Sequence, residues 1–124
     1  MSKIFLIDDD SDDREVFEQS LRSLDIPTSI TTAVDGEDAL QLIQSSRFEQ
    51  PDYIFIDLNM PRLNGLQLLQ EIRRHNLVPD IPVYIYTTST GGRDVDTCIA
   101  LGGKLLTKHS SFRELCSDLK RILS

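Results

Sequence analysis

Alternating strand-like and helix-like segments predict an α/β fold: a five-stranded parallel sheet, order 2-1-3-4-5, with helices on both faces. Three observations carry this reading. Five short apolar or β-branched runs recur along 124 residues, each followed by a segment of helical hydrophobic spacing, and such alternation builds parallel sheets through βαβ crossovers. Lys3-Ile4-Phe5-Leu6-Ile7 and the run from Tyr53 to Ile56 are the most continuously apolar, as strands covered on both faces must be. Ser29-Ile30-Thr31-Thr32-Ala33 is short and polar and suits an edge.

Taken in order, residues 3–8 read as the first strand. Residues 12–24 follow as a helix, with Val16, Phe17, Leu21 and Leu24 at helical spacing and Asp10 or Ser11 as N-cap. Pro27 breaks the chain before the second strand, 29–33. Asp35-Gly36 opens a helix capped by Asp35, with Asp38 three positions on and Leu40 and Ile43 facing inward. Pro51 starts the third strand, which ends at Asp57; Asn59 to Gly65 is a loop, and Leu66, Leu69 and Ile72 mark a third helix. Residues 82–87 form the fourth strand, and the small-residue loop 88–92 leads to a helix stopped by Gly102-Gly103. Lys104-Leu105-Leu106-Thr107 is the fifth strand. The last helix carries a capping box, Ser111 with Glu114, and an apolar face of Leu115, Leu119 and Ile122.

Length and composition narrow the function. One domain over 1–124 is expected, with no second or effector domain. Twenty acids against thirteen bases give a net charge of −7, the wrong sign for a surface that binds nucleic acid directly. No run approaches the roughly 18 apolar residues of a membrane span, so no membrane insertion is expected. The five-residue apolar run after Met1-Ser2 is too short for a signal-peptide core. A cytoplasmic location is expected, with Cys98 and Cys116 as reduced thiols, since they lie on helical segments without metal-type spacing.

The chemistry gathers at strand ends. Asp8 and Asp9 end the first strand, Asp57 the third, Thr87 the fourth, and Lys108 follows the fifth. The order 2-1-3-4-5 puts its switch point between strands one and three, where open parallel sheets bind ligands. Three carboxylates meeting there repel one another unless a cation joins them, and Mg²⁺ takes oxygen ligands of this kind. Asp9 and Asp57 supply carboxylates, the backbone carbonyl of Asn59 a further oxygen, and Asp8 acts through its charge or a bridging water. Asp57 is placed to attack phosphorus, as carboxylates do in forming acyl phosphates. Lys108 then offsets charge and the Thr87 hydroxyl donates to a phosphoryl oxygen.

Leu6-Ile7-Asp8-Asp9-Asp10, the run from Ile56 to Pro61 with Gly65, Tyr86-Thr87-Thr88 and Leu106-Thr107-Lys108 together resemble the receiver domain of two-component response regulators, specifically a stand-alone one of the chemotaxis-regulator type. The resemblance spans the whole length and implies a flavodoxin-like fold. It implies that Asp57 takes a phosphoryl group from a histidine kinase or histidine phosphotransfer protein, with Mg²⁺ held by the acids. It also implies output through an unknown downstream protein target, as a monomer or a phosphorylation-dependent dimer. The chain is then a switch with slow autodephosphorylation, not a metabolic enzyme. By the same resemblance, the first helix docks the phosphodonor, and the fourth and fifth helices with the strand between them form the switch surface. Two positions depart from the family pattern: His109 stands where proline usually follows the lysine, and Leu105 where the fifth strand often carries an aromatic. A trans Lys108–His109 bond is expected, because a cis bond before a non-proline residue costs about 2.5–4 kcal/mol.

Blander readings stand beside these. The acidic stretch from Asp8 to Asp13 also suits a solvated helix start, where negative charge meets the dipole. His75 reads as a solvated cation at a helix end, and His109 as a loop residue rather than a ligand. A phosphorylation-independent interaction module has no need of self-repelling acids. A metal-dependent phosphohydrolase needs a general acid where Asn59 stands and a substrate-selecting cap, for which the chain leaves little room.

Overall fold

Strand and helix alternate from one end of the chain to the other in the computed structural model, which describes residues 1–78, 80–88, 91–108 and 111–124. The elements are β1 (Ser2–Ile7), α1 (Ser11–Arg22), β2 (Thr28–Ala33), α2 (Gly36–Gln44), β3 (Tyr53–Asp57), α3 (Gly65–Arg74), β4 (Val83–Thr87), α4 (Arg93–Ala100), β5 (Lys104–Thr107) and α5 (Phe112–Leu123). All strand pairings are parallel, in the order β2-β1-β3-β4-β5. The flavodoxin-like fold expected from the sequence is the fold observed, with boundaries moved by one or two residues at several ends.

The period of two along each strand divides the core. Phe5 and Ile7 of β1, Ile54 and Ile56 of β3, and Val83 and Ile85 of β4 pack on one face with Ala39 and Ile43, Leu68, Leu69 and Ile72, and Val95 and Cys98 from α2, α3 and α4. Ile4, Leu6, Phe55, Tyr86 and Leu106 point the other way and pack with Phe17 and Leu21 of α1 and Leu115, Leu119 and Leu123 of α5. Edge-on contacts of Phe17 with Phe55 and Tyr86, at 5.0 and 5.6 Å between centroids, tie α1 to the middle of the sheet.

Caps set where each helix starts. Asp10 is the α1 cap, accepting from the N–H groups of Asp12 and Asp13, and Asp35 caps α2 by accepting from Asp38 N–H. Ser111 accepts from Glu114 N–H at α5. A reciprocal capping box is present at α3, where Asn64 and Gln67 exchange hydrogen bonds, a pairing the sequence reading did not identify. Val16, expected inward, is exposed: Phe17, Ser20 and Leu21 turn the buried face of α1 by one residue. In α5 the i, i+4, i+8 row ends on Leu123, with Ile122 only packed alongside. Cys98 is buried and Cys116 partly exposed, both as free thiols. The Lys108–His109 bond and the role of His109 fall outside the described residues.

Candidate functional site

β1 and β3 lie side by side, Ile7 in register with Ile56, so the residues that follow both strands emerge together. One ligand oxygen each from Asp8, Asp9 and Asp57 falls within 4.8 Å of the others. Asp8 is fully buried and Asp57 nearly so, whereas Asp9 is exposed. Asp8 is fixed from two sides: its Oδ1 accepts from Asp10 N–H at 3.0 Å, and its carbonyl accepts from the Arg14 guanidinium at 2.7 Å. Asp57 Oδ1 accepts from Asn59 N–H at 3.3 Å.

Lys108 enters from the end of β5. Its N–H donates to the Thr87 carbonyl at 2.7 Å, which joins the ends of β4 and β5. Its ammonium then reaches three carboxylates: Asp13 at 2.8 Å, Asp8 at 3.0 Å and Asp57 at 3.5 Å. The Tyr86 ring lies beneath it, 5.0 Å from nitrogen to centroid. Among the described residues no well-aligned hydrogen bond reaches the buried Asp8 Oδ2, so its contact with Lys108 is coulombic. Thr87 is fully buried at the end of β4, and the exposed Thr88 lines the acidic cleft with Asp9, Asp10, Asp13, Asp57, Asn59 and Lys108.

The electrostatics follow from burial. Desolvation pushes the Asp57 carboxyl up from 3.8 to about 7; the Lys108 charge and the Asn59 N–H pull it down, while Asp8 and Asp9 push it further up. Burial works against the Lys108 ammonium, but its hydrogen bond to Asp13 and its ion pair with Asp8 outweigh that and raise its pKa. Burial lifts the Tyr86 hydroxyl to about 12. Among the described residues, three carboxylates pair with the Lys108 ammonium, and Asp9 adds a fourth negative charge beside Asp8 and Asp57. A buried oxygen without an aligned donor and a carboxyl held partly protonated near neutrality mark a site short of positive charge. An oxygen-only donor set of this kind fits a hard divalent cation such as Mg²⁺.

Of the residues singled out in the sequence, Asp8, Asp9, Asp57 and Lys108 converge at one edge of the sheet, Asn59 lines the same cleft, and Thr87 lies at its base. The sequence reading missed Asp13, which makes the shortest contact to Lys108. Its signal was its place three residues after the Asp10 cap, in the helical turn that sits over the strand end.

A five-stranded parallel sheet with an acidic pocket and a lysine at its carboxyl edge defines a class, and the family comparison agrees. The chain belongs to the response regulator receiver domain family, whose model matches residues 4–120. Such domains are phosphoacceptor switches of two-component systems rather than metabolic enzymes. Among curated relatives, it is 32% identical over 122 residues to the probable transcriptional regulator ycf27 of Guillardia theta, covering 98% of this chain and 45% of that protein. It is 32% identical over 119 residues to protein PilG of Pseudomonas aeruginosa, covering 95% and 84%. The chain thus spans about half the length of the ycf27 relatives it matches, which run from 45% to 48% covered. Among solved structures, the phosphorylated cyanobacterial phytochrome response regulator RcpA superposes with a TM-score of 0.86 at 28% identity, over 98% of this chain and 90% of that one.

Proposed function

We propose that this chain is a response regulator receiver domain that accepts a phosphoryl group on Asp57 from a histidine kinase or histidine phosphotransfer protein. It then signals by binding another protein. The observation that carries the reading is the meeting of Asp8, Asp9 and Asp57 within 4.8 Å, with the Lys108 ammonium 3.5 Å from Asp57. The phosphorylated relative RcpA supports it.

An Asp57 carboxylate oxygen attacks phosphorus; the new P–O bond forms as the P–N bond to the donor imidazole breaks, and the imidazole leaves with the electron pair. Attack requires the ionised carboxylate, and Lys108 favours that form against the burial that opposes it. The same ammonium offsets charge on the transferring group, and the Thr87 hydroxyl donates to a phosphoryl oxygen. Asp8, Asp9, Asp57 and the Asn59 carbonyl are the groups that would hold Mg²⁺. When bound, the cation supplies the countercharge that lets an anionic donor approach an anionic pocket. Water attacking phosphorus then breaks the Asp57 P–O bond, returning the carboxylate and releasing inorganic phosphate, so the phosphorylated state decays slowly.

Output rests on the α4–β5–α5 face and phosphodonor docking on α1. Leu105, partly buried against the α2–α4 side of the core, replaces the aromatic that often reports phosphorylation in this family. Switching therefore relies on other groups at that face. A cytoplasmic location and a monomeric or phosphorylation-dependent dimeric state complete the proposal; no helix among the described residues is long and apolar enough to cross a membrane.

Incubation with acetyl phosphate and Mg²⁺, read by intact mass, tests this. The wild type is expected to gain one phosphoryl group and Asp57→Asn none. A wild type that gains nothing would leave the phosphorylation-independent interaction module as the better reading.

A further inference from the structure

Asp13 is unaccounted for by the proposed phosphotransfer, yet it makes the closest contact of any carboxylate to Lys108. The two residues are 95 apart in sequence, and Lys108 Nζ donates to Asp13 Oδ2 at 2.8 Å. The Asp13 backbone is not free to drift, because its N–H is held by the Asp10 cap at 3.2 Å. Its side chain is 42% exposed while that of Lys108 is 12% exposed, so one carboxylate oxygen reaches inward and the charge stays at the rim. Asp13 and Lys108 line both the acidic cleft that holds Asp57 and an adjoining cleft between α1 and α5 bordered by Val16, Phe112 and Leu115. The pair is the wall between them.

We propose that Asp13 is a positioning residue that holds Lys108 in the resting site and acts as an electrostatic brake on phosphorylation. The inference rests on Asp57 being the phosphoacceptor. Asp13 does two opposing things. It steadies the ammonium, which favours transfer, and it places a negative charge at the mouth through which an anionic donor must come, which disfavours it. The second effect wins, because Lys108 has two further carboxylates to hold it, Asp8 at 3.0 Å and Asp57 at 3.5 Å. The amine remains in place without the rim charge. A rim charge acts mainly on approach and on salt dependence, and two like charges about 3–6 Å apart across water change a rate by about 3–10-fold.

The test uses the full chain with acetyl phosphate and Mg²⁺, in which the acyl P–O bond breaks, acetate leaves and the Asp57 P–O bond forms. Initial rates are read by intact mass for wild type, Asp13→Asn and Asp13→Glu. At low ionic strength Asp13→Asn is expected to be about 3–10-fold faster than wild type, with Asp13→Glu close to wild type. The gap is expected to close near 1 M salt, where screening acts within about 3 Å. A rate for Asp13→Asn at or below wild type, or an acceleration undiminished by salt, would overturn the brake. Denaturation without metal separates this from failure of the phosphoacceptor reading. Asp13→Asn and Lys108→Met should be non-additive by at least about 2-fold in the unfolding equilibrium constant. Additivity would overturn the pairing whether or not the chain is phosphorylated.

Discussion

Gly65 abuts the backbone of Asp57 so closely that a single added carbon would overlap the Asp57 carbonyl oxygen and come within 2.8 Å of Leu58 Cα. The Gly65 N–H also donates to the Leu58 carbonyl at 3.0 Å. The first residue of α3 is thus packed directly on the strand end that presents the acid. Because the contacts are backbone, no side chain can swing aside to relieve them. Gly65→Ala is expected to cost about 1–3 kcal/mol by overpacking and to slow phosphorylation by displacing Asp57. Denaturant melts and acetyl phosphate kinetics on the same variant check both.

The raised Asp57 carboxyl makes a signed prediction for metal-free protein. Its pKa is about 7 folded against 3.8 as the ordinary value, so between those values the folded state holds a proton that the unfolded chain has released. Unfolding then gives up a proton, and this group's contribution to stability falls as pH rises across that window. Asp57→Asn should remove the fall and be more stable than wild type by about 1–3 kcal/mol near pH 8. The check is the stability difference between the two proteins, measured in chelator across the window. Adding Mg²⁺ should shrink the difference, since a cation stabilises the ionised carboxylate.

Lys108 shifts in the same direction, so stability again falls as pH rises, but in a window above the ordinary 10.5 and with the charged form as the favoured one. Its pKa lies above the ordinary 10.5, so its ion pairs contribute fully below that value and are lost as pH climbs through the folded pKa. Lys108→Met leaves Asp8 Oδ2 buried without its countercharge and should cost about 3–5 kcal/mol at neutral pH without metal. Mg²⁺ should recover part of the stability but not the rate of phosphorylation. Thermal melts with and without Mg²⁺, beside acetyl phosphate kinetics, test both halves.

Phe17 is the main apolar link between α1 and the sheet under the site. It is fully buried, edge-on to both Phe55 and Tyr86, and Tyr86 in turn underlies Lys108. Phe17→Ala should destabilise the chain by about 3–5 kcal/mol. Phe17→Leu should cost much less, because it keeps most of the volume. Denaturant unfolding of both variants measures the two costs.

The sheet was legible because its information is local. The unbroken apolar runs of β1 and β3 mark strands covered on both faces, and the polar β2 lies at the edge. The acids were legible for the same reason: Asp8, Asp9 and Asp57 follow apolar strands, and a parallel sheet brings their ends together. What escaped depends on side-chain reach or on the phase of a helix. Asp13 read as one more solvated acid of the first turn, and only three-dimensional placement puts it on Lys108. Val16 and Phe17 are adjacent, so hydrophobicity alone does not say which one faces the core. The Asn64–Gln67 box was present as an N-x-x-Q spacing but sat inside a stretch where Pro61 and Gly65 already explained a loop.

Borohydride trapping reads most directly where the phosphoryl group sits. After reaction with acetyl phosphate and Mg²⁺, borohydride reduces an aspartyl phosphate to the alcohol, and peptide mass spectrometry locates the reduced side chain. Homoserine in place of aspartate at position 57, and at no other acid, is the expected result. Reduction at Asp8, Asp9 or Asp13 instead, with position 57 unmodified, would contradict the assignment of Asp57 as phosphoacceptor.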